Sequence, residues 1–239
     1  RVSNVPLEPG MILSNEPGYY REGAFGIRIE NLIVIKDAGH MLYFETLTQV
    51  PIDTRLVQLD ILAPEAADQL EALTTEGPIQ VVVHCVGGQI DKPFAAMAFD
   101  DWKNVIDLNL TSFYSAVRPL IMPMLRSRWG RIIALSSLTA VRGNRGQTNY
   151  AAAKGGFLPL MKSLTQEYGS RGITANVVSP GLIDTAETTN LSNYDELVKM
   201  TPARRPGTIA EVAALVGYLT SDKAGFISGQ QISIDGGCS

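Results

Sequence analysis

Arg131-Ile132-Ile133-Ala134-Leu135-Ser136-Ser137 and, thirteen residues beyond Ser137, Tyr150 in Asn149-Tyr150-Ala151-Ala152-Ala153-Lys154 are the two stretches whose joint reading decides the fold. The first is a continuous apolar run and not an alternating one, which is the pattern of a strand buried on both faces. In a helix over the second, Tyr150 and Lys154 are four residues apart and lie one above the other. An ammonium under a phenol favours phenolate and draws the tyrosine pKa down from about 10 toward the range of a useful general acid. The end of the strand would bring the Ser137 hydroxyl beside that phenol. A Tyr-x-x-x-Lys alone is a weak sign, so the rest of the chain has to supply the context.

From Leu56 onward the pattern alternates buried strands with amphipathic helices, which predicts an α/β fold with a parallel sheet covered on both faces. Strands are expected at 57–61, 79–86, 131–136, 174–178 and 231–234, and helices at 64–75, 99–127, 149–169 and 208–220. Strand ends at Asp60, Val86, Ser136 and Ser179 should then open on one edge, where a cofactor would lie.

Composition narrows the function classes. A chain of 239 residues holds one large α/β domain or a conventional domain with an added piece. The net charge of −4 and the 18% of charged residues give no broad basic face, so nucleic acid is not an expected partner. Cys85 and Cys238 are far apart and form no ligand cluster, as expected for a reducing compartment. No signal peptide and no apolar run of membrane-spanning length occurs, so a soluble, cytoplasmic protein without a membrane partner is expected. The chain opens on Arg1 and not on Met, as a truncated or processed start would.

Over residues 56–239 the landmarks resemble, in order, those of the short-chain dehydrogenase/reductases, and within them the 3-oxoacyl-(acyl carrier protein) reductase branch. Ser137, Tyr150 and Lys154 match that family's Ser, Tyr-x-x-x-Lys site, and Asn109 in Asp107-Leu108-Asn109-Leu110 matches its fourth catalytic residue. A helical Asn is unfavourable unless something uses it, although a capped or kinked long helix would also explain one. Asp60 and Ile61 fall where the family contacts the adenine, although Asp60 could equally cap a turn or helix before Pro64. Cys85-Val86-Gly87-Gly88 takes the place of the family's Asn-Asn-Ala-Gly, with His84 and Cys85 standing for its asparagines. His84, in an apolar strand, reads as a satisfied core histidine.

Asn176-Val177-Val178-Ser179-Pro180-Gly181-Leu182-Ile183-Asp184-Thr185 matches the strand and loop that hold the nicotinamide carboxamide, which implies Pro180, Gly181, Ile183 and Thr185 as cofactor contacts beside Cys85, Val86, Gly87, Tyr150 and Lys154. Arg204-Arg205-Pro206-Gly207 resembles the end of the substrate loop, its arginines being either a solvated helix lead-in or carriers of an acyl carrier's phosphate. Ser228-Gly229 through Asp235-Gly236-Gly237 resembles the strand that pairs subunits. The resemblance implies a Rossmann-like fold, a homo-oligomer, and NADP(H) as cofactor, with NAD(H) as the second candidate. The implied reaction is reduction of a β-keto substrate, free or carrier-bound, with Tyr150 giving the proton, Ser137 binding the oxygen, and Lys154 holding ribose while tuning Tyr150.

Residues 1–55 read differently. Pro9-Gly10, Pro17-Gly18 and Gly39 punctuate extended runs at 11–16, 26–35 and 41–47, predicting three antiparallel strands. Leu7-Glu8-Pro9-Gly10-Met11, Asn15-Glu16-Pro17-Gly18-Tyr19-Tyr20 and Gly26-Ile27-Arg28-Ile29-Glu30-Asn31 resemble the C-terminal end of the aminopeptidase P family. There Glu16 and Glu30 would complete a dinuclear metal site, but that family's two Asp ligands and His ligand lie upstream of anything matched here, and His40 has no partner spacing. No metal and no peptidase activity is therefore expected. The reductase family's opening strand, Thr-Gly-x-x-x-Gly-x-Gly turn, helix and second strand have no counterpart, and the glycines of Gly23-Ala24-Phe25-Gly26 are wrongly spaced for that turn. The chain thus reads as a chimera: a β-rich peptidase fragment over 1–55 and an incomplete Rossmann-like reductase domain over 56–239. Cofactor binding is expected to be weakened and a central sheet edge uncovered. A non-catalytic oligomeric scaffold and a product without activity are the alternative readings.

Overall fold

The computed structural model describes residues 59–239, together with the backbone of three strands, β1 (Ile12–Asn15), β2 (Asn31–Asp37) and β3 (Leu42–Thr46). These three pair antiparallel in the order β1-β2-β3, with Ile12 opposite Val34 and Asp37 opposite Leu42. They overlap the three extended runs of the sequence, whereas Glu16, Glu30 and His40 lie outside the described residues.

The second sheet is parallel throughout. β4 (Val81–His84), β5 (Gly130–Leu135), β6 (Ile173–Pro180) and β7 (Gln231–Ile234) lie side by side in chain order. Successive residues of a strand face opposite ways, and both faces are apolar here. Ile132 and Ala134 of β5 and Ile173, Ala175 and Val177 of β6 pack on Phe113, Val117, Leu120 and Met124 of α3 (Ser112–Ser127) and on Phe157 and Met161 of α6 (Phe157–Tyr168). The intervening Ile133 and Val178 pack with Leu219 of α9 (Ile209–Thr220) on the other face. The six other α-helices among the described residues are α1 (Ala66–Leu73), α2 (Phe99–Ile106), α4 (Leu138–Arg142), α5 (Thr148–Gly155), α7 (Ala186–Thr189) and α8 (Tyr194–Met200), with the π-helical turn Asp107–Thr111 between α2 and α3.

One expected strand is corrected, and two expected helices form with an irregularity inside them. No strand forms over 59–61, the described part of the expected strand 57–61: Leu59 and Ile61 instead bury themselves against Ala66 and Leu70 of α1, in a turn. A strand needs a ladder partner, and among the described strands β4 is outermost, so no strand end carries Asp60 to the sheet edge. The helix expected at 99–127 contains the π-turn, because Asn109 takes its hydrogen bonds from within the helix and from a neighbouring loop. The helix expected at 149–169 breaks at Gly156, where a side chain would press on Leu110. The short helices α4, α7 and α8 were not legible, being too brief to show a period.

Just before β6, Gly172 has φ of 78° and a Cβ there would collide with the Arg128 carbonyl oxygen. The Gly172→Ala variant is predicted to lose about 2 kcal/mol or more of stability, seen as a lower urea midpoint with an unchanged slope.

Candidate active site

The site gathers where β4 and β5 end. Lys154, near the C-terminus of α5, is only 3% exposed and points its ammonium at two main-chain carbonyls, donating to Leu135 O at 2.9 Å and to Val86 O at 3.2 Å. Its Nζ also lies 5.9 Å from the Tyr150 ring centroid and 5.4 Å from that of Phe157. Burial pushes the Lys154 pKa down to about 8, while nearby Cys85 works the other way by favouring the charged form. The backbone of the same residue is fixed as well, since Ser136 Oγ donates to Lys154 O at 3.0 Å.

Asn109 closes the other side. It is fully buried, and its Nδ2 donates to Gly88 O and to Val105 O, both at 2.8 Å, while Oδ1 accepts from Gly88 N at 3.4 Å. The π-turn makes this local pattern consistent: Ser112 N reaches back to Asp107 O, and the Ser112 hydroxyl bonds Leu108 O, its ordinary α-helical partner. Between Asn109 and Lys154 lies Gly87, where a Cβ would come within 2.8 Å of Asn109 Oδ1 and 2.9 Å of Lys154 Nζ. Bare, exposed backbone beside a buried ammonium is a cradle that any side chain would fill.

Ser137, two residues past the end of β5, is the N-cap of α4, with its Oγ accepting from Thr139 N at 3.1 Å. That bond occupies a lone pair and leaves the hydroxyl proton free to be donated. Tyr150, half-buried in the first turn of α5, has its own N–H capped by Asn149 Oδ1 at 2.8 Å. Past β6, Gly181 N donates to Ile234 O at 3.1 Å, and a Cβ on Gly181 would strike Asp235. Ile183 bridges Gly207, and Thr185 caps α7, its Oγ1 accepting from Thr188 N at 3.3 Å. Asp60 stands apart from these: it is exposed, its carboxylate caps Leu62 N at 3.0 Å, and Ile61 is buried behind it.

A dinucleotide's nicotinamide ribose fits this arrangement, because the bare Gly87 backbone, Lys154 and Tyr150 converge at the strand ends. Its pyrophosphate does not find a glycine-rich turn in the chain.

The family model described as "Enoyl-(Acyl carrier protein) reductase" matches residues 32–239, and the model of metallopeptidase family M24 matches residues 1–37. The chain belongs to the short-chain dehydrogenase/reductases. It is 40% identical over 188 residues to the 3-oxoacyl-[acyl-carrier-protein] reductase FabG of Aggregatibacter actinomycetemcomitans, covering 77% of this chain and 78% of that one. Nodulation protein G of Rhizobium sp. (strain N33) is 37% identical over 205 residues, covering 77% and 83%. FabG of Chlamydia muridarum is 41% identical over 167 residues, covering 69% and 67%. As a short-chain reductase it is an oxidoreductase of the 3-oxoacyl-reductase type.

Several site residues escaped the sequence reading. Ser136, Thr139, Gln147 and Asn149 all bond within the site, and their only prior signal was their crowding around Ser137 and Tyr150. Arg205 bonds both Glu211 carboxylate oxygens, at 3.0 and 2.6 Å, ahead of α9. Among the described residues no three of His, Cys, Asp and Glu converge to hold a metal, and no helix is long and apolar enough to cross a membrane.

His84 is buried at the end of β4 with Nε2 3.0 Å from Ser112 Oγ, wedged edge-on against Phe113 and Phe157. Because the Ser112 proton goes to Leu108 O, His84 Nε2 carries the proton, leaving Nδ1 with no hydrogen-bond partner among the described residues. Burial first, and Lys154 second, push its pKa from 6.5 to about 3. Below pH 6.5 the unfolded chain takes up a proton there that the folded chain refuses. Stability should therefore drain by about 1.4 kcal/mol per pH unit between 6.5 and 3. In His84→Asn that contribution is absent, so urea midpoints at pH 7, 5.5 and 4.5 should fall less steeply than in the wild type.

Proposed function

We propose that the chain reduces the β-ketone of a 3-oxoacyl thioester, free or carried on an acyl carrier protein, to the 3-hydroxy product, using NADPH with NADH as the second candidate. The observation that carries this reading is the buried Lys154 ammonium lying beside the Tyr150 ring and the bare Gly87 backbone, where β4 and β5 end.

Bound NADPH would supply the hydride to the ketone carbon. Gly87, Val86 and Cys85 would lie along its ribose, and Pro180, Gly181, Ile183 and Thr185 would face its carboxamide. Tyr150 delivers the proton to the ketone oxygen as charge develops on it. Ser137 donates a hydrogen bond to the same oxygen, its proton free because Thr139 N already occupies a lone pair of Oγ. Lys154 favours the phenolate that remains on Tyr150 and would hold the ribose hydroxyls of the bound cofactor. Asn109 keeps Gly88, and with it the exit of β4, in place.

The same reading takes the molecule to be a cytoplasmic homo-oligomer. Phe99, Tyr114 and Met122, each more than half exposed along α2 and α3, favour assembly over a monomer. Its cofactor affinity is expected to be weak, because the glycine-rich turn that would place helix N-terminal N–H groups against the pyrophosphate has no counterpart in the chain. Two lost charge-assisted hydrogen bonds correspond to roughly 10²- to 10⁴-fold in affinity.

A titration of NADPH followed by cofactor fluorescence, with acetoacetyl thioester reduction measured on the same preparation, tests the proposal. Saturable binding is expected in both the wild type and Tyr150→Phe, with reduction lost by at least about 100-fold in the variant. No saturation at millimolar NADPH sinks the reading. A second expectation concerns pH: kcat/KM for NADPH, which reports on the free protein, should fall as pH rises through about 8, where Lys154 loses its charge. A flat profile between pH 7 and 9 would contradict the assigned role of that ammonium.

A further inference from the structure

Gln147 does not belong to the tetrad, yet more of the site's hydrogen bonds pass through it than through any tetrad side chain. It is 6% exposed, and the whole bonding capacity of its amide is used. Nε2 donates to Gln89 Oε1 and to Asp91 Oδ2, both at 2.9 Å. Oε1 accepts from Thr139 Oγ1 at 3.1 Å and from Asn144 Nδ2 at 3.0 Å. Its main chain begins α5, with Gln147 O accepting from Ala151 N at 2.8 Å. An ionised Asp91 only accepts, which fixes the NH₂ end of the amide toward residues 89 and 91 and the oxygen toward Thr139. Thr139 is in turn the residue whose N–H holds Ser137 Oγ.

Three segments therefore meet on one amide: the Ser137 helix α4, the start of the Tyr150 helix α5, and the loop 88–92 that leaves β4. The neighbours support the same junction, because Lys92 N donates to Gly146 O at 2.9 Å and Asn149 Nδ2 donates to Ile90 O at 3.1 Å.

Resting on the reductase reading above, we propose that Gln147 is the positioning residue that sets Ser137 against Tyr150 and ties both to the loop leaving β4. It touches neither substrate nor cofactor in this role; it acts through Thr139 and through the first turn of α5. Because Asp91 orients the amide, Glu in place of Gln147 sets two carboxylates against each other, whereas pairing that change with Asp91→Asn restores donor against acceptor.

The test compares the wild type, Gln147→Glu, and the double variant Gln147→Glu/Asp91→Asn. In Gln147→Glu, kcat for acetoacetyl thioester reduction should drop by roughly 10- to 100-fold while KM for NADPH changes by less than about threefold. Amides of 137–142 and 88–92 should exchange faster with solvent while those of β5 and β6 keep their protection. The double variant should recover kcat to within about fivefold of the wild type, together with the lost protection. Wild-type kcat and protection in Gln147→Glu would overturn the proposal, as would a folded double variant that recovers neither. If the wild type itself reduces no thioester, the reductase reading fails separately, and the exchange comparison alone decides for or against Gln147.

Discussion

A buried ammonium is the constraint around which this molecule is arranged. Taking Lys154 out of water costs several kcal/mol, and its lowered pKa records that cost. The surroundings offset it without any carboxylate: two strand-end carbonyls accept its protons and two aromatic rings flank it. Using carbonyls and not an anion leaves the positive charge uncancelled, so it remains available to whatever approaches along the bare backbone of Gly87. β4 and β5 run side by side with His84 beside Ala134, and just beyond that pair the Val86 and Leu135 carbonyls both reach this ammonium.

The two halves of the chain answer to different rules. Over 32–239 the short-chain reductase pattern holds, while the first 37 residues match a metallopeptidase family whose chemistry needs ligands on other segments. The reductase part keeps the family's Ser, Tyr-x-x-x-Lys pattern at Ser137, Tyr150 and Lys154 and has no counterpart of its glycine-rich turn. In the described sheet this division has a visible correlate: β4, which bears His84 and leads into Cys85 and Val86, is the outermost strand, with Val83 37% exposed.

Much of the architecture was legible because its signals were long or unambiguous. The apolar run at 131–135 reads as a doubly buried strand, the strand expected at 174–178 forms within Ile173–Pro180, and Tyr150 and Lys154 announced one helix by their spacing. What failed was local. The stretch at 57–61 looked like a strand from its hydrophobic content, but hydrophobicity does not supply a neighbour, and Leu59 and Ile61 found cover under α1. His84 was foreseen as buried but not as half-satisfied, because its bond to Ser112 depends on where a π-turn throws a hydroxyl. Gln147 carried no signal beyond its closeness to Tyr150: a polar residue in a loop looks solvated until three segments fold onto it.

The π-turn at Asp107–Thr111 also limits how this sequence can change. Each residue of an α-helix advances the phase by about 100°, and a π-turn absorbs one residue beyond the regular count. Val105 on one side of it and Phe113, Val117 and Leu120 on the other are all buried, so both helical halves are already in phase with the core. Deleting a single residue from 107–111 would return the regular count and leave both apolar stripes facing the core, while removing the widened turn in which Asn109 sits. The surplus residue thus serves the polar groups and not the oily ones: it seats the Asn109 amide on Gly88 and the Ser112 hydroxyl beside His84, which a straight helix would have to arrange anew.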